Sequence, residues 1–220
     1  MSDYTDLAAY YAKRGIAYEA TYRKPERQAD LAILHERIPE ILRGHRVLEL
    51  ACAAGYWTER IAAAAASVLA TDINPSMIDA ARAKDWSGKP VEFAVADAFD
   101  PEPAVKGRPA FSACFAGLWW SHVKRQDQEA FLARLRRLLG KDALLVLFDN
   151  HYVEGSSTPV ARTDAEGNTY QIHTLPDGER QEVLKNFPTD SGLRKKLAAS
   201  VKDIRIERLD YYWMLTGRLK

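Results

Sequence analysis

This chain is poor in cysteine, in net charge, in long apolar runs and in glycine at the one turn where glycine matters most. Two cysteines stand among 220 residues, Cys52 and Cys114, far apart and each inside an apolar stretch. That is too few for a disulfide scaffold and the wrong spacing for zinc, so two buried free thiols in a reducing compartment are expected. Lys plus Arg number 31 against 30 Asp plus Glu, a net charge of +1, which excludes the strongly basic profile of a general nucleic-acid binder. The longest apolar stretch, Ile61 to Ala70, is broken by Ser67 and falls far short of a membrane span. The start, MSDYTDLAAYYAKRG, lacks the basic-then-apolar form of a signal peptide, and a cytoplasmic protein is expected. No repeat or low-complexity tract is visible.

What is present is an ordinary globular composition, 47% hydrophobic and 28% charged. A chain this long buries roughly 70% of its unfolded surface and needs neither metal nor disulfide to fold. Between about residues 46 and 150, short apolar runs alternate with helical patterns. Arg46–Leu50, Val68–Asp72, Val91–Asp97, Phe111–Gly117 and Ala143–Asn150 read as strands. Tyr56–Ala66, Pro75 to about Lys84, and Asp127–Leu139 read as helices, the last with Phe131, Leu132, Leu135, Leu138 and Leu139 on one face and Gly140 ending it. Runs such as ALLVLF suit strands buried on both sides of a parallel sheet. The alternation predicts a doubly wound α/β fold. Residues 4–38 read as helical. Thr169–Thr174 and Arg180–Leu184 read as a hairpin across Pro176-Asp177-Gly178, with another turn signal at Glu166-Gly167-Asn168. A helix near Gly192–Ser200 and strands Ile204–Leu209 and Tyr211–Arg218 close the chain. One domain over 1–220 is expected: a helical cap (1–40), a core (41–150), a lid-like insertion (151–187) and a closing segment (188–220).

The strongest chemical signal runs from Val47 to Thr58, VLELACAAGYWT: an apolar strand, an acid, a turn of small residues, then a helix. In an open parallel sheet ligands bind beyond the carboxyl ends of the strands, and small residues let the backbone approach them. Asp72 ends the second strand, placed to accept hydrogen bonds from ribose hydroxyls, and Asp97 follows the third, within reach of an adenine amino group. A nicotinamide dinucleotide would need G-x-G-x-x-G and a helix N-terminus aimed at pyrophosphate. Here one glycine remains, Gly55, and Glu49 adds a carboxylate that would repel pyrophosphate but suits a cationic ligand.

These segments resemble the class I S-adenosylmethionine-dependent methyltransferases of small-molecule type. Where the family has E-L-x-C-G-x-G, this chain reads Glu49-Leu50-Ala51-Cys52-Ala53-Ala54-Gly55, with alanines at 51 and 53 where glycines are common. An alanine at 53 implies a negative φ or a small strain. The resemblance implies a Rossmann-like seven-stranded sheet with an antiparallel last strand, an N-terminal helical cap and a β-hairpin insertion after strand five. It implies S-adenosyl-L-methionine as cofactor, held by Tyr11, Tyr18, Glu49, Ala51, Gly55, Asp72, Ile73, Met77, Asp97, Ala98, Phe99 and Phe115. It also implies methylation of a small-molecule nucleophile by direct in-line displacement, with no metal. The alternative is a catalytically inactive cofactor-binding partner subunit.

In such a family the end of strand four, Phe115–His122, faces the transferable methyl. His122 is the general-base candidate, with His151 and Asp149-Asn150 second. Trp119 and Trp120 are candidates to line the acceptor pocket, where an aromatic face can hold a cation. Tyr22, Asn150, Arg162 and Tyr170 complete the expected substrate-binding set. Tyr11, Tyr18 and Tyr22 share one helical face in the cap, with Tyr10 beside them. His173 sits in the hairpin, while His35 and His45 read as structural. The basic run Arg134–Arg137 reads as a solvated helix face. Near-neutral charge, the absence of an added binding domain and the lid-like insertion favour a small acceptor over RNA, DNA or protein; no membrane partner is expected, and a monomer or homodimer is.

Overall fold

The structure, a computed structural model, describes residues 2–175 and 177–220. Pro176, the first residue of the expected hairpin turn, lies outside the described residues. The core is a seven-stranded sheet: β1 (Arg46–Leu50), β2 (Ser67–Asp72), β3 (Val91–Val95), β4 (Ala113–Gly117), β5 (Leu144–Asn150), and near the chain end β9 (Val201–Arg208) and β10 (Tyr212–Leu219). Their order is β3-β2-β1-β4-β5-β10-β9. The pairs β3/β2, β2/β1, β1/β4 and β4/β5 are parallel, while β10 runs antiparallel to both β5 and β9. This is the expected Rossmann-like sheet with an antiparallel last strand. The strand order reverses between β1 and β4, so their carboxyl ends diverge into a crevice.

Helices cover both faces, as near-continuous apolar strands require. α2 (Gln28–Ile41), α3 (Tyr56–Ile61) and α4 (Pro75–Arg82) lie on one side, where Leu31, Leu34, Ile38, Trp57, Ile61 and Ile78 pack against Val47, Phe115, Val146 and Phe148. α6 (Gln128–Leu139) and α7 (Asp190–Leu197) lie on the other, where Phe131, Leu132, Leu135, Leu193 and Leu197 meet Leu48, Cys114, Leu145 and Trp213. A short α5 (Glu102–Val105) follows β3. Each fully buried Leu or Phe contributes roughly 1.5–3 kcal/mol relative to exposure. Gly140 ends α6 with φ 82°, and the Thr189 hydroxyl caps α7 by accepting from the Gly192 N–H at 3.1 Å. Both cysteines are buried free thiols.

Three segments differ from the sequence expectation. The cap is not one helical stretch: α1 (Ser2–Arg14) stops at Gly15 (φ 54°) and gives way to tighter 3-10 turns over Gly15–Arg23 and Pro25–Arg27. Helix α3 ends at Ile61 rather than Ala66, because the alanines that follow turn back so that Ala66 N–H reaches the His45 carbonyl. The expected hairpin is present as β7 (Thr169–Thr174) and β8 (Arg180–Leu184), but a third strand, β6 (Val160–Thr163), pairs along β7 and widens it into a three-stranded antiparallel sheet. The strand β6 is exposed throughout and carries no apolar alternation, which hides it from pattern reading. This small sheet leans onto α1 through Leu7, Tyr10, Leu175 and Val183.

Candidate functional site

The carboxyl ends of β1 to β5 open into a cavity of about 750 Å³, roofed by α1 and the 3-10 cap on one side and the small sheet on the other. No group of three metal-ligating side chains occurs among the described residues.

The turn after β1 is tightly wound. Ala51 (φ 52°), Ala53 (φ 47°) and Gly55 (φ 79°) are all left-handed, so Ala53 takes the strained alternative rather than a negative φ. Each non-glycine residue held there costs about 1–3 kcal/mol. The offset is visible: Ala53 N–H donates to Asp72 Oδ2 at 2.9 Å and Asn74 N–H donates to Asp72 Oδ1 at 2.8 Å. Asp72 thus ties the loops after β1 and β2 together, and its second lone pairs remain for a ligand. Burial pushes its carboxyl above the ordinary value, against these backbone hydrogen bonds. Gly55 does not line the cavity. It starts α3, and a Cβ there would press on the Trp86 ring at 3.3 Å.

Glu49 is 1% exposed, lines the cavity, and leaves Oε2 with no hydrogen-bond partner. Burial, with the Asp72 charge adding, pushes its pKa up to about 8. An orphaned buried carboxyl oxygen on a cavity wall is poised for a hydrogen-bond donor or a cation. Asp97, Ala98, Phe99, Met77 and Ile73 form the wall beyond β2 and β3, and Ala51, Phe115, Tyr11, Tyr18 and Tyr22 line the cavity as well. Asp97 Oδ1 accepts from the Phe99 N–H at 2.8 Å. Tyr22 stacks on Tyr56 at 3.9 Å and accepts from the Trp57 indole at 3.1 Å, which fixes the cap over the β1 turn.

At the end of β4, Gly117 is required, because a Cβ would collide with the Phe148 ring. Leu118 then turns left-handed (φ 56°) and sends Trp119 into the cavity. Trp120 goes the other way: it is 1% exposed, packs on Phe131 at 6.2 Å and does not line the cavity. The two rings part because the chain enters a 3-10 turn there (Trp120–His122), and the space beneath α6 takes the second.

His122 lines the cavity but is not a free base. Nδ1 lies 2.7 Å from the Leu184 carbonyl, which can only accept, so Nδ1 carries the proton. Nε2, at 2.9 Å, then accepts from the Tyr11 hydroxyl. Burial, helped by the Lys185 charge, holds the imidazole down at about 3, hence neutral. Behind it Asp149, fully buried, accepts from Lys185 Nζ at 3.1 Å and from the Ser121 and Asn150 N–H groups. Burial pushes Asp149 up, but Lys185, His122 and those N–H groups outweigh it and hold the carboxyl below its usual range. Burial likewise depresses Lys185, against the pull of Asp149.

Arg162 and Tyr170, expected at the substrate, are elsewhere. Arg162 is exposed, pairs with Glu182 at 2.8 Å and lies 3.7 Å over the Tyr170 ring, whose hydroxyl meets Asp164. Strand alternation explains it: Gln171 and His173, on the other face of β7, line the cavity in their place. His35 meets Tyr56 and His45 meets Ser112, both structural. Tyr10 packs into the lid contact and His151 sits outside the cavity. Asn150 does line it, accepting from Arg27 at 2.9 Å.

Sequence reading missed Arg14, Lys24, Arg27 and Lys185, four cations on the cap and lid walls. Lys185 could have been found, since it continues the Val183 face of β8 at the period of two. Arg27 carries no such signal. Its burial depends on Tyr211 and Tyr212, whose rings it faces at 5.6 and 5.5 Å from the opposite end of the chain.

Comparison with known proteins agrees with this geometry. A family model described as a methyltransferase domain matches residues 47–142. Magnesium-protoporphyrin O-methyltransferase of Rhodobacter capsulatus is 38% identical over 73 residues, 32% of this chain and 32% of that protein, so the match spans about a third of the relative's length. Among solved structures, a DhpI–SAM–HEP complex is 25% identical, with a TM-score of 0.77, covering 98% of this chain and 97% of that one. A DhpI–SAH complex is 26% identical with a TM-score of 0.75 over 98% and 96% of the two chains. The 1,6-didemethyltoxoflavin-N1-methyltransferase of Burkholderia thailandensis shares the fold, with a TM-score of 0.63 at 16% identity over 98% and 88% of the chains.

Proposed function

We propose that this chain is a class I S-adenosylmethionine-dependent methyltransferase, an enzyme that methylates a small-molecule nucleophile with S-adenosyl-L-methionine, in keeping with the methyltransferase-domain match and the two DhpI complexes. The observation that carries the reading is Glu49, a buried carboxyl with an orphaned oxygen on the wall of a roofed cavity at the switch point of the sheet. That donor set fits the cofactor's polar groups. In this reading Glu49 faces the methionyl ammonium, Asp72 accepts from the ribose hydroxyls, and Asp97 with the Ala98–Phe99 backbone meets the adenine. Ile73 and Met77 cover the adenine faces, and Tyr11 and Tyr18 close over the methionyl end. When bound, S-adenosylmethionine supplies an already activated methyl.

The chain then has mostly to orient the acceptor and exclude water. Trp119 and Phe115 wall the space between the acidic turn and the lid. The chain works as one unit, its cap and lid closing over the shared core. The near-neutral charge supports a small acceptor rather than nucleic acid, with the protein acting as a cytoplasmic monomer or homodimer. No helix among the described residues is long and apolar enough to cross a membrane. The test is calorimetry with S-adenosylhomocysteine, then an acceptor screen with product mass detection. Tight binding lost in Glu49→Ala and in Asp72→Ala, with a methylated product from the native chain, is the expected result. A folded protein without measurable affinity would refute it.

A further inference from the structure

The cavity is electrically divided. Its lining carboxylates, Glu49, Asp72 and Asp97, all sit at the β1–β3 end. Its four cations, Arg14, Lys24, Arg27 and Lys185, all come from the cap and the lid, at the end left for the acceptor. Lys185 is neutralised by Asp149, and Lys24 donates to the Ser156 carbonyl with Glu26 at 4.0 Å.

The two arginines are different. Arg14 donates to the Tyr10 hydroxyl at 2.9 Å, and Arg27 donates to the Asn150 amide oxygen at 2.9 Å and to the Ser156 hydroxyl at 3.4 Å. Among the described residues no carboxylate lies within ion-pair distance of either. Arg27 is only 4% exposed and its Nε has no partner at all. A guanidinium removed from water without a counter-charge is costly, and the Tyr211 and Tyr212 rings offset only part of that. Arg14 and Arg27 both also repel the Lys185 ammonium, so the cations share one neighbourhood. Glu26 reaches Arg27 only through the Ser156 hydroxyl, so the remaining counter-charge comes from the cavity they face, where the cofactor's methionyl carboxylate can supply one anion and leaves a second guanidinium for the acceptor.

We propose that the acceptor is a small organic oxyanion, a carboxylate or a phospho acid, held by Arg14 and Arg27 and methylated on its own oxygen. This rests on the methyltransferase reading above and names its acceptor class. The chemistry closes without a base. A lone pair of the acceptor oxygen forms the new O–CH3 bond while the C–S bond breaks and its electron pair stays on sulfur. The acceptor loses one negative charge, the sulfonium becomes a neutral thioether, and no proton leaves. That fits a wall on which both nitrogens of His122 are engaged and His173 Nε2 lies 3.2 Å from the Gln171 amide oxygen. An alcohol or a protonated amine would need an effective proton acceptor; His122 offers none, and burial holds the His173 imidazole down at about 4, a weak base. Guanidinium groups match both oxyanion types through paired N–H donors.

The test uses the full chain in three arms. S-adenosylhomocysteine is titrated first, alone. The loaded protein is then titrated with acetate and with methylphosphonate, against acetamide and dimethyl methylphosphonate as uncharged counterparts, following intrinsic tryptophan fluorescence in the native chain and in Trp119→Phe. Finally, panels of carboxylic acids, phospho acids, neutral alcohols and amines are screened for methylated products. Binding of an anion but not its neutral counterpart, with an ester as product, is expected, and which panel reacts separates carboxylate from phospho acid. Arg14→Gln removes the half-buried arginine whose own contacts are fewest. It should raise the acceptor KM about 10–100-fold with kcat and S-adenosylhomocysteine affinity nearly unchanged, and Arg14→Lys should recover part of the loss. Methylation of amines or alcohols alone, or an acceptor KM indifferent to Arg14→Gln, overturns the oxyanion assignment and leaves the methyltransferase standing. Failure of S-adenosylhomocysteine to bind overturns both.

Discussion

If Glu49 faces the cofactor's ammonium as proposed, cofactor binding should be a proton-release reaction. Its carboxyl is displaced by burial from the ordinary 4.5 to about 8, so at pH 7 it is about nine-tenths protonated before ligand arrives. An ammonium placed against the orphaned Oε2 favours the carboxylate and expels that proton. The uptake of cofactor should therefore release about 0.9 proton at pH 7 and about 0.1 at pH 9. Affinity should rise about tenfold per pH unit below pH 7 and level off above pH 8.5. At about 1.36 kcal/mol per pH unit, the displacement corresponds to an upper bound of about 5 kcal/mol. The same displacement bears on folding. The native state binds this proton more tightly than the unfolded chain, so the empty protein loses stability as pH rises from 4.5 to about 8. Calorimetry of S-adenosylhomocysteine binding at pH 7 in PIPES and in imidazole, buffers of different ionisation heat, counts the protons directly. Glu49→Gln should abolish the buffer dependence while raising the melting temperature of the empty protein at pH 8–9. Identical binding heats in both buffers for the native protein would refute the reasoning.

Other perturbations follow from the same contacts. His122 is buried neutral with its pKa depressed from 6.5 to about 3, so its contribution is present above pH 6.5 and lost as pH falls toward 3, at about 1.4 kcal/mol per pH unit. Acid denaturation of His122→Gln should be correspondingly shallower, and equal slopes would remove His122 as the cause. Gly117→Ala forces a methyl against the Phe148 ring in a filled core, so urea unfolding should show a loss of about 1–3 kcal/mol, relieved by Phe148→Leu in the double variant. Replacing residues 156–182 by a short Gly/Ser linker removes β6, β7 and the Ser156–Thr158, Gln171 and His173 walls. S-adenosylhomocysteine affinity should survive while acceptor turnover is lost or broadened, and unchanged acceptor kinetics would show that this sheet does not bound the site.

Much of this protein is written in short stretches. Strand, turn and helix around Val47–Thr58 follow from an apolar run, small residues and a helical period. A parallel strand end always points to the crevice, so Glu49, Asp72 and Asp97 could be placed without coordinates. The lid strands Thr169–Thr174 and Arg180–Leu184 were legible from residue type alone. Their third partner was not, because β6 has no buried face to impose a pattern. Which face of β7 turns inward was equally illegible. Tyr170 and Gln171 differ by one position and therefore by the whole thickness of the sheet, and only packing against α1 chose Gln171 and His173 for the cavity. The state of His122 depended on Tyr11, 111 residues away, and on the Leu184 carbonyl. The cationic chamber depended on burying Arg27 against Tyr211 and Tyr212 from the far end of the chain. Local order follows from the spacing of neighbours, which a sequence displays. Charge state and ligand chemistry follow from which distant groups exclude water from one another, and only the folded chain decides that.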